Sequence, residues 1–255
     1  VVTPTFNAAA FVEETLQSVL EQGYDQLEYI VQDGASTDRT LEIISRYAAR
    51  LASVDSRRDA GQSDALNMGF GRATGEIMAY LNGDDLLLPG ALHYVAWFFA
   101  RHPEVDVAYG HRVLIDGDGW EIGRWVLPRH DDAVLSWVDY VPQETLFWRR
   151  AIWEKVGATL DETFHFAMDW DLLLRFRDAG ARFARVPRFL GAFRVHRGQK
   201  TSARMRDTGM REMERLRQRV HGQAVPAEEI ARGIRSYLRR HMVYQKLYNW
   251  GLLRY

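Results

Sequence analysis

No cysteine occurs in the 255 residues. Disulfides, thiolate nucleophiles and Cys-ligated zinc are therefore excluded, and a reducing, cytoplasmic setting fits. No apolar run is long enough to span a bilayer, and no signal-peptide pattern is present. Val1 already lies inside an apolar, β-branched run, so a few residues are expected upstream of it. No G-x-G-x-x-G follows Val1–Phe6, which weighs against a dinucleotide oxidoreductase. Thr3–Ala10 carries no Lys or Arg, so the basic phosphate loop expected of a nucleotidyltransferase is missing too. There is no internal repeat and no low-complexity segment.

Apolar residues make up 47% of the chain, enough for a sizeable core. The net charge of −1 conceals an uneven distribution. Residues 200–255 hold 13 Lys or Arg against five Asp or Glu, leaving that stretch near +8 and the remainder near −9. Such a tail suits a solvated helical face, an anionic lipid surface or a nucleic acid. The acidic front portion argues against the last.

The first half alternates strand and helix. Val1–Phe6, Leu27–Gln32, a short run near Val54 and Glu76–Leu81 read as strands. Helices are expected between them, with Asn7 and Ser36 as caps and Gly23 as a stop. Pro89 suits a first helical turn. This order predicts an α/β fold with a mostly parallel sheet and helices on both faces. Further on, Asp116-Gly117-Asp118-Gly119 marks a hairpin between Val105–Ile115 and Glu121–Leu127. Glu144–Arg149 reads as a strand and Ala167–Ala179 as a helix. Two basic helical stretches flank Gly222–Pro226.

Three acidic tips follow successive strands: Asp33-Gly34, Asp59 and Asp84-Asp85. Ligands of open α/β sheets bind at the carboxyl ends of strands, so these tips predict one crevice for a base, a ribose and a metal-bound diphosphate. Adjacent acids repel, and Asp84-Asp85 is tolerated best beside a hard cation or water. The same pair could also be the acidic start of a helix. Asp33-Gly34 is equally readable as a turn, Asp59 as a surface acid paired with Arg57 or Arg58, and Asp64 and Asn67 as first-turn residues. Asp169 and Asp171 are two apart on a helix and face different ways, so one enters a site while the other caps or pairs with Arg175. A carboxylate beside Phe166 and Trp170 could serve as a general base. His196 is readable as a surface histidine or as a metal contact.

Read together, Thr3-Pro4-Thr5-Phe6-Asn7, Asp33–Asp38, Asp59–Asn67, Asn82-Gly83-Asp84-Asp85, Pro142–Thr145, Asp169–Leu172 and Arg194-Val195-His196 resemble the inverting glycosyltransferase family 2. The resemblance covers Val1 to about Ser202 and implies a GT-A fold with a Rossmann-like sheet, followed by C-terminal helices. It divides the chain into a glycosyltransferase domain, 1–199, and a basic helical extension, 200–255. Within the domain, 1–103 would be the nucleotide-binding half and 104–199 the acceptor half.

The resemblance also implies residue roles. Thr3, Pro4 and Asp33 would line the nucleoside pocket, with Asp33 reading the uracil edge. Thr5, Asn7, Gln62, Asp64 and Asn67 would complete it, and Asp59 would contact base or ribose. Asp84 would face the ribose or donor sugar. Asp85 would ligate Mn²⁺ or Mg²⁺ directly, with His196 reaching metal or diphosphate. Asp169 would be the catalytic base. Many relatives carry Glu-Asp at that motif, whereas Met168 precedes Asp169 here. The implied activity is metal-dependent transfer from a UDP-sugar to a carbohydrate or lipid-linked glycan acceptor, as in polysaccharide biosynthesis. The expected location is the cytoplasm, with peripheral contact at the inner membrane face through the tail. A nucleotidyltransferase or a nucleic-acid-binding protein is the alternative.

Overall fold

The computed structural model describes residues 1–196 and 205–255, with side chains from residue 207 in the second segment. The expected boundary between residues 199 and 200, with Lys200 and Arg204 of the tail, lies outside the described residues. Three strands, β1 (Val2–Thr5), β2 (Ile30–Asp33) and β3 (Ser53–Ser56), pair in parallel in that order. Helices α1 (Val12–Leu20), α2 (Thr40–Ser45) and α3 (Gln62–Phe70) follow them. α1 forms because Val12, Leu16, Val19 and Leu20 share one buried stripe.

The parallel sheet passes on to the next segment through a bridge between Val2 and Tyr80. Beyond it the sheet is mixed. Its strands are β4 (Ile77–Met78), β5 (Leu86–Leu87), β6 (Val107–Ile115), β7 (Glu121–Trp125), β8 (Phe147–Arg149) and β9 (Phe183–Arg194). Only β6 and β9 pair in parallel there; β4–β8, β5–β9, β6–β7 and β6–β8 are antiparallel. The expected parallel order therefore describes the front half, and the back half closes by antiparallel pairing. The predicted 116–119 turn joins β6 to β7 as a hairpin.

Helix starts differ from expectation at two places. α1 begins at Val12, not after Asn7, because the Asn7 side-chain oxygen accepts from the Thr37 N–H (2.9 Å) across the loop. α2 begins at Thr40, where the Asp38 carboxylate accepts the Thr40 N–H (2.9 Å), while Ser36 is drawn onto Asp33. The strand expected at Glu144 begins at Phe147, after a tight turn over Gln143–Thr145.

The remaining helices are α4 (Ala91–Arg101), α5 (Asp132–Leu135), α6 (Arg150–Lys155), α7 (Met168–Asp178), α8 (Met210–His221) and α9 (Ala227–Asn249). α7 stops at Gly180, whose φ of +81° closes the last turn through its N–H to the Arg177 carbonyl (2.8 Å). One apolar cluster joins Leu172, Leu173 and Phe176 of α7 to Trp148, Trp153 and Leu216 of α8. Helix α9 also packs inward. Tyr237 lies against Tyr140 with ring centres 4.4 Å apart, and Gln245 Oε1 accepts the Val126 N–H (3.0 Å). Its other side leaves Leu238, Met242 and Val243 exposed, as are Trp250 and Leu252 beyond it.

Candidate active site

The crevice lies at the carboxyl ends of β1, β2 and β3 and of the segment ending at Asp85. The positions of the strand tips agree with the sequence, but their side chains divide into two groups.

Several predicted nucleotide contacts have their polar atoms committed within the protein. Asp33 is fully buried. Its Oδ1 accepts from Thr5 Oγ1 (3.1 Å) and from the Ser36 hydroxyl, and its Oδ2 accepts from the Ser36 N–H (2.8 Å) and Ser56 Oγ (2.7 Å). Four hydrogen bonds occupy the lone-pair positions of a carboxylate, so in this structure Asp33 ties three strand ends together. Thr3 is also bonded within the protein. Strand alternation turns its hydroxyl into the core, 2.9 Å from the Tyr29 hydroxyl. The Asn67 amide closes on the Leu160 N–H (2.7 Å), the Leu160 carbonyl (3.0 Å) and Glu162 (3.0 Å). Asn7 braces Thr37, and Asp64 accepts the Ala60 N–H (2.9 Å), so both shape loops beside the crevice. Pro4 is buried, with its carbonyl 3.5 Å from where a Cβ on Gly83 would stand.

Asp59 and Phe6 face the same place. A Cβ on Gly34 would meet Asp59 Oδ2 at 2.6 Å and the Phe6 ring at 3.4 Å. Burial raises the Asp59 pKa, and the negative charges of Asp64 and Asp33 add to it, while a bond from the Gly61 N–H opposes. Phe6 is 64% exposed at the end of an otherwise buried strand. Its role was missed in the sequence, where the signal was an aromatic residue placed directly after an apolar strand. Asn7 (φ +49°) and Ala35 (φ +62°) hold left-handed backbone at the two adjoining strand ends. Such conformations concentrate at ligand sites.

The third acidic tip lies one strand further. His196 Nε2 stands 3.0 Å from Asp84 Oδ2, and its ring lies tilted against Phe11 with centres 4.5 Å apart. The acidic pair is unequally exposed: Asp85 is 1% exposed, and Asp84 keeps an accessible oxygen. Asp85 turns inward because its Oδ1 accepts the Arg194 N–H (2.9 Å) and its Oδ2 faces the Asn82 amide (3.4 Å). Burial pushes its carboxyl well above the ordinary range, and the charges of Asp84 and Glu144 push the same way. Asn82 in turn accepts from Gln62 Nε2 (2.6 Å) and donates to Gln143 (3.0 Å), which links the second and third tips. Among the described residues, no three His, Asp or Glu side chains gather as a ready-made metal cage.

The second half brings Asp169 to this crevice. The buried Tyr80 phenol is pushed well above its usual pKa by burial, then by the charges of Asp169, Asp139, Asp85 and Glu144. These acids therefore share one neighbourhood. Burial also raises the Asp139 carboxyl, with the charge of Asp169 next. Arg112 supplies positive charge, gripping both Glu144 oxygens through its Nε and Nη2 and lying over the Phe193 ring. Asp169 Oδ1 accepts the Trp170 N–H (2.9 Å). Asp171 points the other way, fully buried, and pairs with Arg175 (2.9 Å) as its spacing predicts, and also with Arg219 (2.5 Å).

Comparison with known proteins bears on the fold and the family. The chain is 33% identical over 190 residues to the O-antigen biosynthesis protein RfbC of Myxococcus xanthus, covering 72% of this chain but 15% of that protein. It is 28% identical over 184 residues to the PGL/p-HBAD biosynthesis glycosyltransferase of Mycobacterium bovis (strain BCG / Pasteur 1173P2), covering 69% and 68% of the two chains. Among solved structures, S. aureus TarS 1-349 in complex with UDP-GlcNAc superposes with a TM-score of 0.71 at 19% identity, over 98% of this chain and 74% of that one. The mannosyltransferase PcManGT of Pyrobaculum calidifontis, in complex with GDP-Man and Mn²⁺, gives 0.62 at 23% identity, over 80% and 59%. These likenesses establish a shared glycosyltransferase fold. The sequence profile of glycosyl transferase family 2 matches residues 1–197, and the chain belongs to that family of sugar-transferring enzymes.

Proposed function

We propose that this protein is a metal-dependent, inverting glycosyltransferase that moves a sugar from a UDP-sugar to a hydroxyl of a carbohydrate or lipid-linked glycan. The observation that carries this reading is the Asp84–His196 contact of 3.0 Å at the end of a strand, in a crevice shared with Asp169. The UDP-GlcNAc bound in TarS supports the donor class.

Asp84, Asp85 and His196 fit a divalent cation in kind. Mg²⁺ and Mn²⁺ sites in phosphate chemistry often take one or two protein carboxylates and leave the remaining positions to phosphate and water. That suits a site without three gathered side chains. The clustering of Asp84, Asp85 and Glu144 also leaves a local negative charge that a cation would relieve. When bound, Mn²⁺ or Mg²⁺ would act as a Lewis acid toward the departing diphosphate.

The chain's own residues supply the rest. Phe6 and Asp59 would hold the base and ribose, on a floor that Asp33 braces. Asp169 would take the acceptor hydroxyl proton as that oxygen attacks the anomeric carbon. The bond from that carbon to the diphosphate breaks on the opposite side, so the configuration inverts and no covalent sugar–enzyme species forms. The exposed Leu238, Met242, Trp250 and Leu252, among the Arg and Lys of the tail, would rest on an anionic membrane that carries the acceptor. Among the described residues, no helix is long and apolar enough to cross a membrane.

A hydrolysis screen over UDP-, GDP- and ADP-sugars, with Mn²⁺, Mg²⁺ or EDTA, tests this reading. Turnover of a UDP-sugar that requires metal is expected. Turnover of a GDP-sugar alone, or of none, would refute the donor assignment.

A further inference from the structure

The tail helix α8 reaches back to the loop that carries the proposed base. Glu212 is 8% exposed, so its carboxylate is held out of water. Its Oε1 accepts the His165 N–H (2.9 Å), and its Oε2 accepts the N–H groups of Phe166 (2.8 Å) and Ala167 (2.9 Å). These three donors immediately precede α7, whose first residue is Met168 and whose N-cap, Ala167, has no side-chain cap of its own. Helix N-termini leave several N–H groups in need of acceptors, and a negative charge there is favourable. A carboxylate 45 to 47 positions downstream thus fixes the backbone that leads into the helix, up to its N-cap residue Ala167.

Two further contacts hold the same turn. Arg219 donates to Asp171 Oδ1 (2.5 Å), two residues past Asp169. Gly209 sits against Phe166 so closely that a Cβ would approach its ring to 3.0 Å. Leu216, fully buried between Glu212 and Arg219 in sequence, anchors α8 in the main core. Asp169 therefore sits on a turn gripped from both sides by one helix.

We infer that Glu212 and Arg219 are positioning residues for Asp169, and that α8 is part of the catalytic apparatus. This rests on the reading of Asp169 as the general base. Glu212 does not touch the base. It fixes the backbone from which the base projects, and a displacement of about 1 Å at a reacting group can cost about 10²-fold in rate.

The test compares Glu212→Ala, Glu212→Gln and Leu92→Ala with the wild type. Calorimetry reads UDP affinity with Mn²⁺. Turnover is measured on whichever of UDP-glucose, UDP-galactose and UDP-N-acetylglucosamine the wild type hydrolyses fastest. Hydrogen exchange reads the amides of residues 165–171. For Glu212→Ala we expect kcat to fall about tenfold or more, with UDP affinity and donor KM within about twofold. Protection at 165–171 should be lost. Glu212→Gln keeps one acceptor oxygen and should fall between the two. Leu92→Ala, in the separate core cluster under α4, should lower the melting temperature at least as much while keeping kcat. Unchanged kcat in a folded Glu212→Ala protein, or equal loss in Leu92→Ala, would overturn the inference. If the wild type turns over no UDP-sugar, the functional reading fails by itself. Exchange then decides the clamp, and unaltered protection in Glu212→Ala refutes it.

Discussion

His196 Nε2 and Asp84 Oδ2 lie 3.0 Å apart, although 112 positions of chain separate the residues. Two donors that close, one imidazole and one carboxylate, are what a shared cation would use. UDP should therefore bind much more tightly with Mn²⁺ than with EDTA. Asp84→Ala and His196→Ala should each shrink that difference, and Asp85→Ala should abolish it. Calorimetry showing equal UDP affinity with and without metal in the wild type would refute the site.

Base recognition should fall on Phe6 and Asp59. Phe6→Ala should weaken UDP binding by about 1–3 kcal/mol, the usual loss when an aromatic platform under a base is removed. Gly34→Ala makes a sharper test. Its new Cβ would collide with Asp59 Oδ2, so UDP affinity should drop while the fold persists. Normal UDP affinity in Gly34→Ala would show that Asp59 is not where the nucleotide binds.

The acids of α7 should separate cleanly. Asp169→Asn should leave UDP affinity intact and lower transfer by about 10²-fold or more. Asp171→Asn should act on stability, because it weakens a buried acid held by Arg175 and Arg219. Breaking such a pair costs about 3 kcal/mol. A folded Asp171→Asn protein without transfer, beside an active Asp169→Asn protein, would exchange the two roles.

Acid should destabilise the protein through His111. This ring is fully buried, and its Nδ1 accepts the Leu127 N–H (3.0 Å), which requires the neutral form. Burial, then the nearby positive charge of Arg185, lowers its pKa from 6.5 to about 3. The unfolded chain therefore binds a proton below pH 6.5 that the folded chain refuses. The contribution is complete above pH 6.5 and declines as pH falls toward 3, at up to about 1.4 kcal/mol per pH unit. Urea melts between pH 7 and 4 read this slope. His111→Gln should flatten it, and an identical slope in that variant would refute the assignment.

Much of the front half was legible because its signals are local. Alternating apolar runs and helical stripes place β1, β2 and β3, and the acids that end them follow directly. The opposed directions of Asp169 and Asp171 come from helical periodicity alone. What was hidden depends on partners far away in sequence. That Thr5, Ser36 and Ser56 gather around Asp33 shows only in the fold. The same holds for Leu160 closing on the Asn67 amide. The mixed back sheet contains strands of two or three residues, too short to show a period. Glu212 looked like one of five acids in a basic tail, and nothing local marks it as a brace for the backbone leading into α7.

The clamp on α7 also sets an order of events during synthesis. Chains emerge from the N-terminus, and early segments can pack before later ones exist. β1, β2 and β3, with the Asp33 and Asp59 tips, can assemble once the first hundred or so residues are out. The turn bearing Asp169 cannot acquire its acceptors until Glu212 has been made. A nascent chain thus gains a place for the nucleotide well before it can hold the proposed base in working position, and the ability to spend an activated sugar comes last.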